Sequence, residues 1–415
     1  MSRLRHGLPL WLDRPSLPRK KYPRHKGHLE VDVVIIGGGI TGAICAYLFS
    51  DAGASVALLE SKAVGRGSTV ASTALLMQEP DRDFCDLVRR FGRPRTLQVW
   101  KSLARATRDL TRAIRSLKIN CDLHARDSVY FTLDPLCIQR LRREFDARKA
   151  AGLPGRWLSS AALYRMTGIR GQAAIATRGN AEIDPVRACH GFLSAAVVRG
   201  AKVFERSAAL RVEATTEGVL VGTRGGTISA KFVVIATGYA RPGFGPRVGR
   251  FTMKDTYVIA TRCLPSRIQR RIAKSRAMAW DTDRPYHYLR WTEDGRLLVG
   301  GEDTTHRRVK GSRKRISAAR ERLMPYLGQM FPALADEQPA YEWEGLFAET
   351  PDGLPYVGVH SKYPRHLFAL GYGGNGMTAS FLAGQILLRR YRNMTLPRKK
   401  RDSVGDLFAF DRGRG

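Results

Sequence analysis

Apolar positions along the chain follow three patterns. The first is a β-branched run, Val31 to Ile36, followed after Gly37-Gly38-Gly39 by an apolar stretch of helical length to Ser50 and then by Val56-Ala57-Leu58-Leu59. Such runs read as buried parallel strands joined by a helix. Residues 31–49 are apolar enough to resemble a membrane span, but Asp32 and the triple glycine argue against one. The second pattern is helical spacing. Leu87, Phe91, Leu97, Trp100, Leu103, Leu110, Ile114 and Leu117 alternate with charges, predicting amphipathic helices over 81–118. Residues 138–150 and 312–330 repeat it, and Asp184-Pro185 sets an N-cap and first turn for a helix through Val198, ended by Gly200. The third pattern is strand-like. Ala201 to Glu205, Leu210 to Val221 and Lys231 to Tyr239 read as strands, and Thr256 to Gly301 alternates openly around turns such as Glu293-Asp294-Gly295, as antiparallel sheet does. A last strand, Leu367 to Leu370, leads through Gly371-Tyr372-Gly373-Gly374-Asn375-Gly376 into a helix from Met377 to Tyr391.

The class is therefore α/β plus α+β: a Rossmann-like nucleotide-binding domain interleaved with a mainly antiparallel-sheet substrate domain. The expected division gives 29–105, 175–245 and 345–393 to the first, and 106–174 (with a helical insertion) and 246–344 to the second. A basic arm, 1–28, is expected to pack over the nucleotide domain, and a basic tail spans 394–415.

The glycine block carries the chemistry. Gly37, Gly39 and Gly42 form Gly-x-Gly-x-x-Gly between a strand and a helix. Gly37 makes the tight turn, Gly39 lets a pyrophosphate reach the backbone, and Gly42 lets helix and strand pack closely. Glu60 ends the second strand, where an acidic side chain takes ribose hydroxyls. The small residues Gly65 to Ala74 allow close approach to a flat ligand, and the 371–376 loop places a second helix N-terminus where an anionic group can sit.

Composition adds one question. Lys and Arg total 70 against 37 Asp and Glu, a net charge of +33. This points either to a polyanion partner or to arginines spread over solvated faces. The cations concentrate at Arg19-Lys20-Lys21 and Arg398-Lys399-Lys400-Arg401 without an aromatic-interleaved stripe, so nucleic acid is the weaker reading. Six scattered cysteines and dispersed histidines offer neither a disulfide framework nor zinc spacing, which fits reduced thiols and a cytoplasmic protein without a transmembrane segment.

Gly37 to Glu60, Ala236-Thr237-Gly238, and Pro351-Asp352-Gly353-Leu354-Pro355 with Gly371 to Gly376 stand in one order. Together they resemble the FAD-dependent oxidoreductases of the D-amino acid oxidase superfamily, nearest to its glycine oxidase, sarcosine oxidase and gamma-glutamylputrescine oxidase branch. The Trp11 arm is similar to that of the last group. The resemblance implies FAD pyrophosphate at Gly37, Gly39, Ile40, Thr41 and Gly42, ribose at Glu60, and adenine near Ala209. It implies Ser68 and Thr69 near pyrophosphate and ring, and Gly374, Asn375, Gly376 and Met377 at the flavin N1–C2=O edge. Members that attach FAD covalently use a cysteine or histidine that would align with Gly345 and Ala71, so noncovalent FAD is expected. The arginines that fix a substrate carboxylate would align near Phe347 and Gly374, and a lysine over the flavin near Leu298; all are absent.

The expected reaction is oxidation of the C–N bond of a small amine or N-substituted amino acid, with oxygen or another acceptor taking the electrons. The pocket lining is sought in Pro285 to Trp291. There Tyr286, Tyr288 and Arg290 share one strand face, Tyr288 shaping the pocket and Arg290 available to an acidic substrate tail, while His287 is structural. Two alternatives stay open: a tRNA-modifying FAD oxidase-like domain, and a flavoprotein dehydrogenase subunit that passes electrons to a partner chain.

Overall fold

The computed structural model describes residues 5–14, 21–239, 244, 251–272, 274–307, 311–395 and 402–412. Two sheets organise them. In the eight-stranded sheet, Gly27–Ile36 lies between the parallel strands Val56–Leu59 and Gly226–Gly238. Lys202–Phe204 and Tyr363–Leu370 extend the parallel set on either side. Tyr356–His360 and the hairpin of Arg211–Ala214 and Val219–Gly222 pair antiparallel.

The β-branched run is continuous because both of its faces are covered. Val33 and Ile35 pack with residues of the helices Ile40–Asp51, Pro185–Val198 and Gly376–Thr395, whereas Val34 and Ile36 pack with the antiparallel hairpin. Asp184 caps its helix as expected, its Oδ1 accepting from the amides of Val186 and Arg187.

The second sheet has ten strands, and only Met278–Asp281 against His124–Thr132 is parallel within it. Thr252–Thr261, Leu297–Thr305 and Tyr288–Trp291 form its middle. The helix Ser312–Met330 buries Ile316, Ala319, Leu323 and Leu327 against this sheet. Among the described residues no helix is long and apolar enough to cross a membrane.

The strands do not respect the domain edges drawn from sequence. Ala173–Glu182 and Pro339–Glu349 both belong to the ten-stranded sheet, so 175–182 and 345–349 leave the nucleotide unit. The helix Arg93–Ser116 runs through the 105/106 edge and gives Val99, Leu103, Ala106, Leu110 and Ile114 to the nucleotide core.

The N-terminal arm differs too. Arg5–Gly7 pairs with Trp343 to Gly345 of the ten-stranded sheet, and Trp11 packs on Val70, Ala71, Val258 and Leu298; Tyr22 enters the nucleotide core. The edge of the larger sheet was free for a strand, and the arm supplies it. At the other end, Leu407 and Phe408 are buried in the nucleotide core and Arg412 ion-pairs with Asp352, so residues 402–412 of the basic tail are docked. Arg19, Lys20 and the Arg398 to Arg401 cluster lie outside the described residues.

Candidate active site

Ile36, Leu59, Gly238 and Leu370 all stand at carboxyl ends of parallel strands, the position at which open α/β sheets bind ligands. A cavity of about 510 Å³ opens there and runs under the ten-stranded sheet. Its narrow start depends on two glycines. Gly37 has φ +117°, and a Cβ on it would lie 2.5 Å from the Ala236 carbonyl oxygen; a Cβ on Gly42 would collide with the Gly37 carbonyl. The helix Ile40–Asp51 thus starts hard against its strand, and Gly39, its N-cap, offers no side-chain cap of its own. The partial positive end of the helix faces the cavity.

Each residue expected from sequence can now be placed. Gly37, Gly39, Ile40, Thr41, Glu60, Ser68, Thr69 and Ala209 line the cavity, and so do Gly374, Asn375, Gly376, Met377 and Tyr288; Gly42 sits behind, as packing. Glu60 accepts from the Gly38 amide at 2.9 Å and the Lys62 amide at 2.7 Å, which fixes its carboxylate at the strand end. Thr69 Oγ1 accepts from the Ile40 amide at 3.0 Å, and the Ser68 hydroxyl donates to the Leu346 carbonyl at 2.8 Å. These two bonds pin the short helix Ser68–Ala71 between the two units.

At the far end, Asn375 Nδ2 donates to the carbonyls of Met77 and Glu79 at 3.0 and 2.9 Å. Its Oδ1 is buried with no hydrogen-bond partner. An orphaned acceptor at the start of the Gly376–Thr395 helix marks a place where a ligand donor is wanted.

Arg290 is a correction. It does not line the cavity; it lies under Trp11, 5.4 Å from the ring, and ion-pairs with Glu182 at 3.3 Å. Its guanidinium donates to the carbonyls of Thr73 at 2.9 Å and Ile183 at 2.8 Å. Burial pulls its pKa down while Glu182 supports the charge. Strand alternation put Arg290 on the same face as Tyr288, but the backbone of 73–74 and the arm cover that part of the face. His287, expected to be structural, is held on both ring nitrogens: Nδ1 meets Asp281 Oδ2 at 2.8 Å, Nε2 meets Glu302 at 3.3 Å, and the ring stacks on Tyr326. Asp281, Asp283 and His287 also form the metal-compatible cluster found among the described residues, a grouping that no sequence spacing announced.

Four groups at the far end of the cavity were missed. Asp81, Arg284, Trp280 and Asp303 all line the cavity beside Tyr286 and Tyr288. Asp81 accepts from the Gly374 amide. Thr256 and the Tyr288 hydroxyl are 3.0 Å apart. Burial pushes the carboxyl pKa of Asp81 up to about 6, and that of Asp303 up to about 6, and it raises both tyrosines. No local pattern flags a lone Asp in a turn or at a strand end.

The comparisons with known proteins now bear on this cleft. A family profile described as "DAO: FAD dependent oxidoreductase" matches residues 32–390. The chain belongs to this family. Among relatives of this FAD dependent oxidoreductase, glycine oxidase of Bacillus licheniformis is 26% identical over 359 residues, covering 86% of this chain and 91% of the relative. Gamma-glutamylputrescine oxidoreductase of Escherichia coli (strain K12) is 25% identical, covering 88% and 84%. The solved structure of glycine oxidase from Geobacillus kaustophilus superposes with a TM-score of 0.76 at 20% identity, over 92% of this chain and 99% of the other. The resemblance drawn from the three sequence blocks therefore holds, as does the fold class.

FAD, the cofactor of the family, fits what is present. The glycine turn is a cradle that a Cβ would fill, Glu60 waits at the second strand, and Asn375 Oδ1 lacks a partner at the opposite end.

Proposed function

We propose that this oxidoreductase oxidises the C–N bond of a small amine or N-substituted amino acid. The chemistry FAD supplies when bound is acceptance, at N5, of a hydride equivalent from the carbon bearing nitrogen. The chain's residues do the rest. The amides of the glycine turn and the Ile40–Asp51 helix N-terminus would hold the pyrophosphate, Glu60 the ribose, and the Ala209 backbone the adenine side. The positive end of the Gly376–Thr395 helix, which opens on the same cavity, would favour negative charge on the flavin. Gly345 and Ala71 carry no group able to bond to the ring, which supports noncovalent attachment.

Tyr286, Tyr288 and Trp280 line the ring end with aromatic surface. The amine gives up hydride in its neutral form, and the aromatic surface packs against the reacting carbon. The observation that carries the reading is the aromatic-lined cavity that continues from the nucleotide cleft; relatives named for glycine and gamma-glutamylputrescine oxidation agree with it.

Anaerobic mixing of FAD-loaded protein with primary amines, N-methyl amino acids and D-amino acids tests it. Bleaching of the flavin band by at least one amine is expected, and a spectrum unchanged by the whole panel would sink the reading. Peroxide release on adding air then separates oxygen from another acceptor.

A further inference from the structure

The ring end of the cavity carries more negative than positive character. Asp81 and Tyr286 meet at Gly374: a Cβ on that glycine would collide with the Tyr286 hydroxyl and lie 3.4 Å from each oxygen of the Asp81 carboxylate. The Tyr286 and Tyr288 rings are 5.9 Å apart, and the Asp303 carboxyl interacts electrostatically with both. Asp303 Oδ1 is buried and has no hydrogen-bond partner. The two cavity-lining cations at this end pair with other carboxylates, although Arg148 Nη1 keeps no hydrogen-bond partner and Lys254, outside the lining, faces Asp303. Arg284 faces Asp83 at 3.5 Å and the Tyr130 hydroxyl at 3.4 Å, and Arg148 holds Glu144 at 2.7 Å. An orphaned carboxylate oxygen beside two aromatic rings is a site for a cation: the charge is met directly, and the ring faces add cation–π attraction.

We infer that Asp81, Tyr286, Tyr288 and Asp303 form a subsite for an ammonium group remote from the reacting nitrogen, so that the substrate is a diamine or an amine with a basic tail. The inference rests on the proposed amine oxidation at this cavity, but it makes a separate claim about recognition. An amino acid held by its carboxylate meets like charge from Asp81 and Asp303 and is disfavoured. One nitrogen loses its proton to solvent on binding and reacts as the neutral amine, while the other stays charged between the carboxylates.

The test compares putrescine, a diamine, with butylamine and N-methylglycine on the FAD-loaded protein, by anaerobic flavin reduction. Binding of putrescine to the flavin-free protein is measured alongside by calorimetry. The wild type is expected to prefer putrescine over butylamine by tenfold or more in kcat/KM, and Asp303→Asn to shrink that ratio about tenfold, as loss of one charge-assisted bond does. Asp303→Asn removes a charge that burial disfavours, so it folds; Asp303→Glu keeps the charge and retains the preference. Equal rates with putrescine and butylamine, or a preference for N-methylglycine, would overturn the subsite while leaving amine oxidation standing. Calorimetric putrescine binding that depends on Asp303, with no amine bleaching the flavin, would support the subsite and overturn the oxidation.

Discussion

Gly345 lies against Ala71 so closely that a Cβ on the glycine would sit 2.9 Å from the alanine Cβ. These are the two positions at which the resemblance places covalent attachment in other members, and here both are bare and packed on one another. All flavin should therefore leave the protein on acid precipitation, read as yellow supernatant over a colourless pellet. Gly345→Leu forces the Ser68–Ala71 helix away from the strand Pro339–Glu349. Overpacking of this kind costs about 1–3 kcal/mol, so FAD affinity should fall by about tenfold or more in a fluorescence titration.

Arg290→Ala should behave as a fold mutant. It leaves Glu182 with Arg126 as its remaining cation and strips the Thr73 and Ile183 carbonyls of a donor. Removing one of two cations from a buried carboxylate costs up to about 3–5 kcal/mol, which chemical denaturation would report as a lowered midpoint. The folded fraction should keep its KM for the amine, since the guanidinium does not reach the cavity. A raised KM with unchanged stability would return Arg290 to substrate binding.

Legibility in the sequence tracked distance along the chain. Gly37 to Glu60 is one local unit, so strand, turn, helix and acid could be read from a 30-residue stretch, and each glycine has a steric reason visible nearby. Asp81, Tyr286 and Asp303 come together only through the topology of two sheets, and each alone resembles any turn or strand residue. Arg290 shows the other limit. Period-two alternation assigns a face, but cannot say that Trp11, 279 positions earlier, returns to cover it. The strand Pro339–Glu349 was misassigned for a similar reason, since nothing local to 345–349 says which of the two sheets it joins.

Glu60→Gln tests the ribose assignment. The Gly38 amide donates to one carboxylate oxygen and the Lys62 amide to the other, so the amide variant keeps one of these bonds and loses the other together with the charge. FAD affinity should drop about tenfold, corresponding to a charged hydrogen bond of about 1.5–3 kcal/mol, and the flavin-free protein should be destabilised by about 1 kcal/mol yet stay folded. Unchanged FAD affinity would place the ribose elsewhere.

The last prediction concerns pH. Burial raises Asp81 and Asp303 to about 6, so each carries its proton below that value in ligand-free protein. Asp303 is faced by Lys254, Glu349, His287 and the two tyrosines, with the Thr256 hydroxyl nearby; Asp81 is faced by Arg82, Glu349 and Tyr286, with the amides of Gly374 and Asn375 donating to it. A raised carboxyl pKa contributes stability below the unfolded value and loses it as pH rises through about 6, so neutral pH leaves a poorly solvated carboxylate that a bound ammonium relieves. Putrescine affinity should thus be flat above pH 7 and weaken below about 6, by up to about tenfold per pH unit where one carboxyl must ionise. Calorimetry at pH 5, 6 and 7.5 reads this directly. In Asp303→Asn the acid limb should shift or flatten, because one of the two titrating groups is gone; an identical profile in wild type and variant would mean that Asp303 does not meet the ligand.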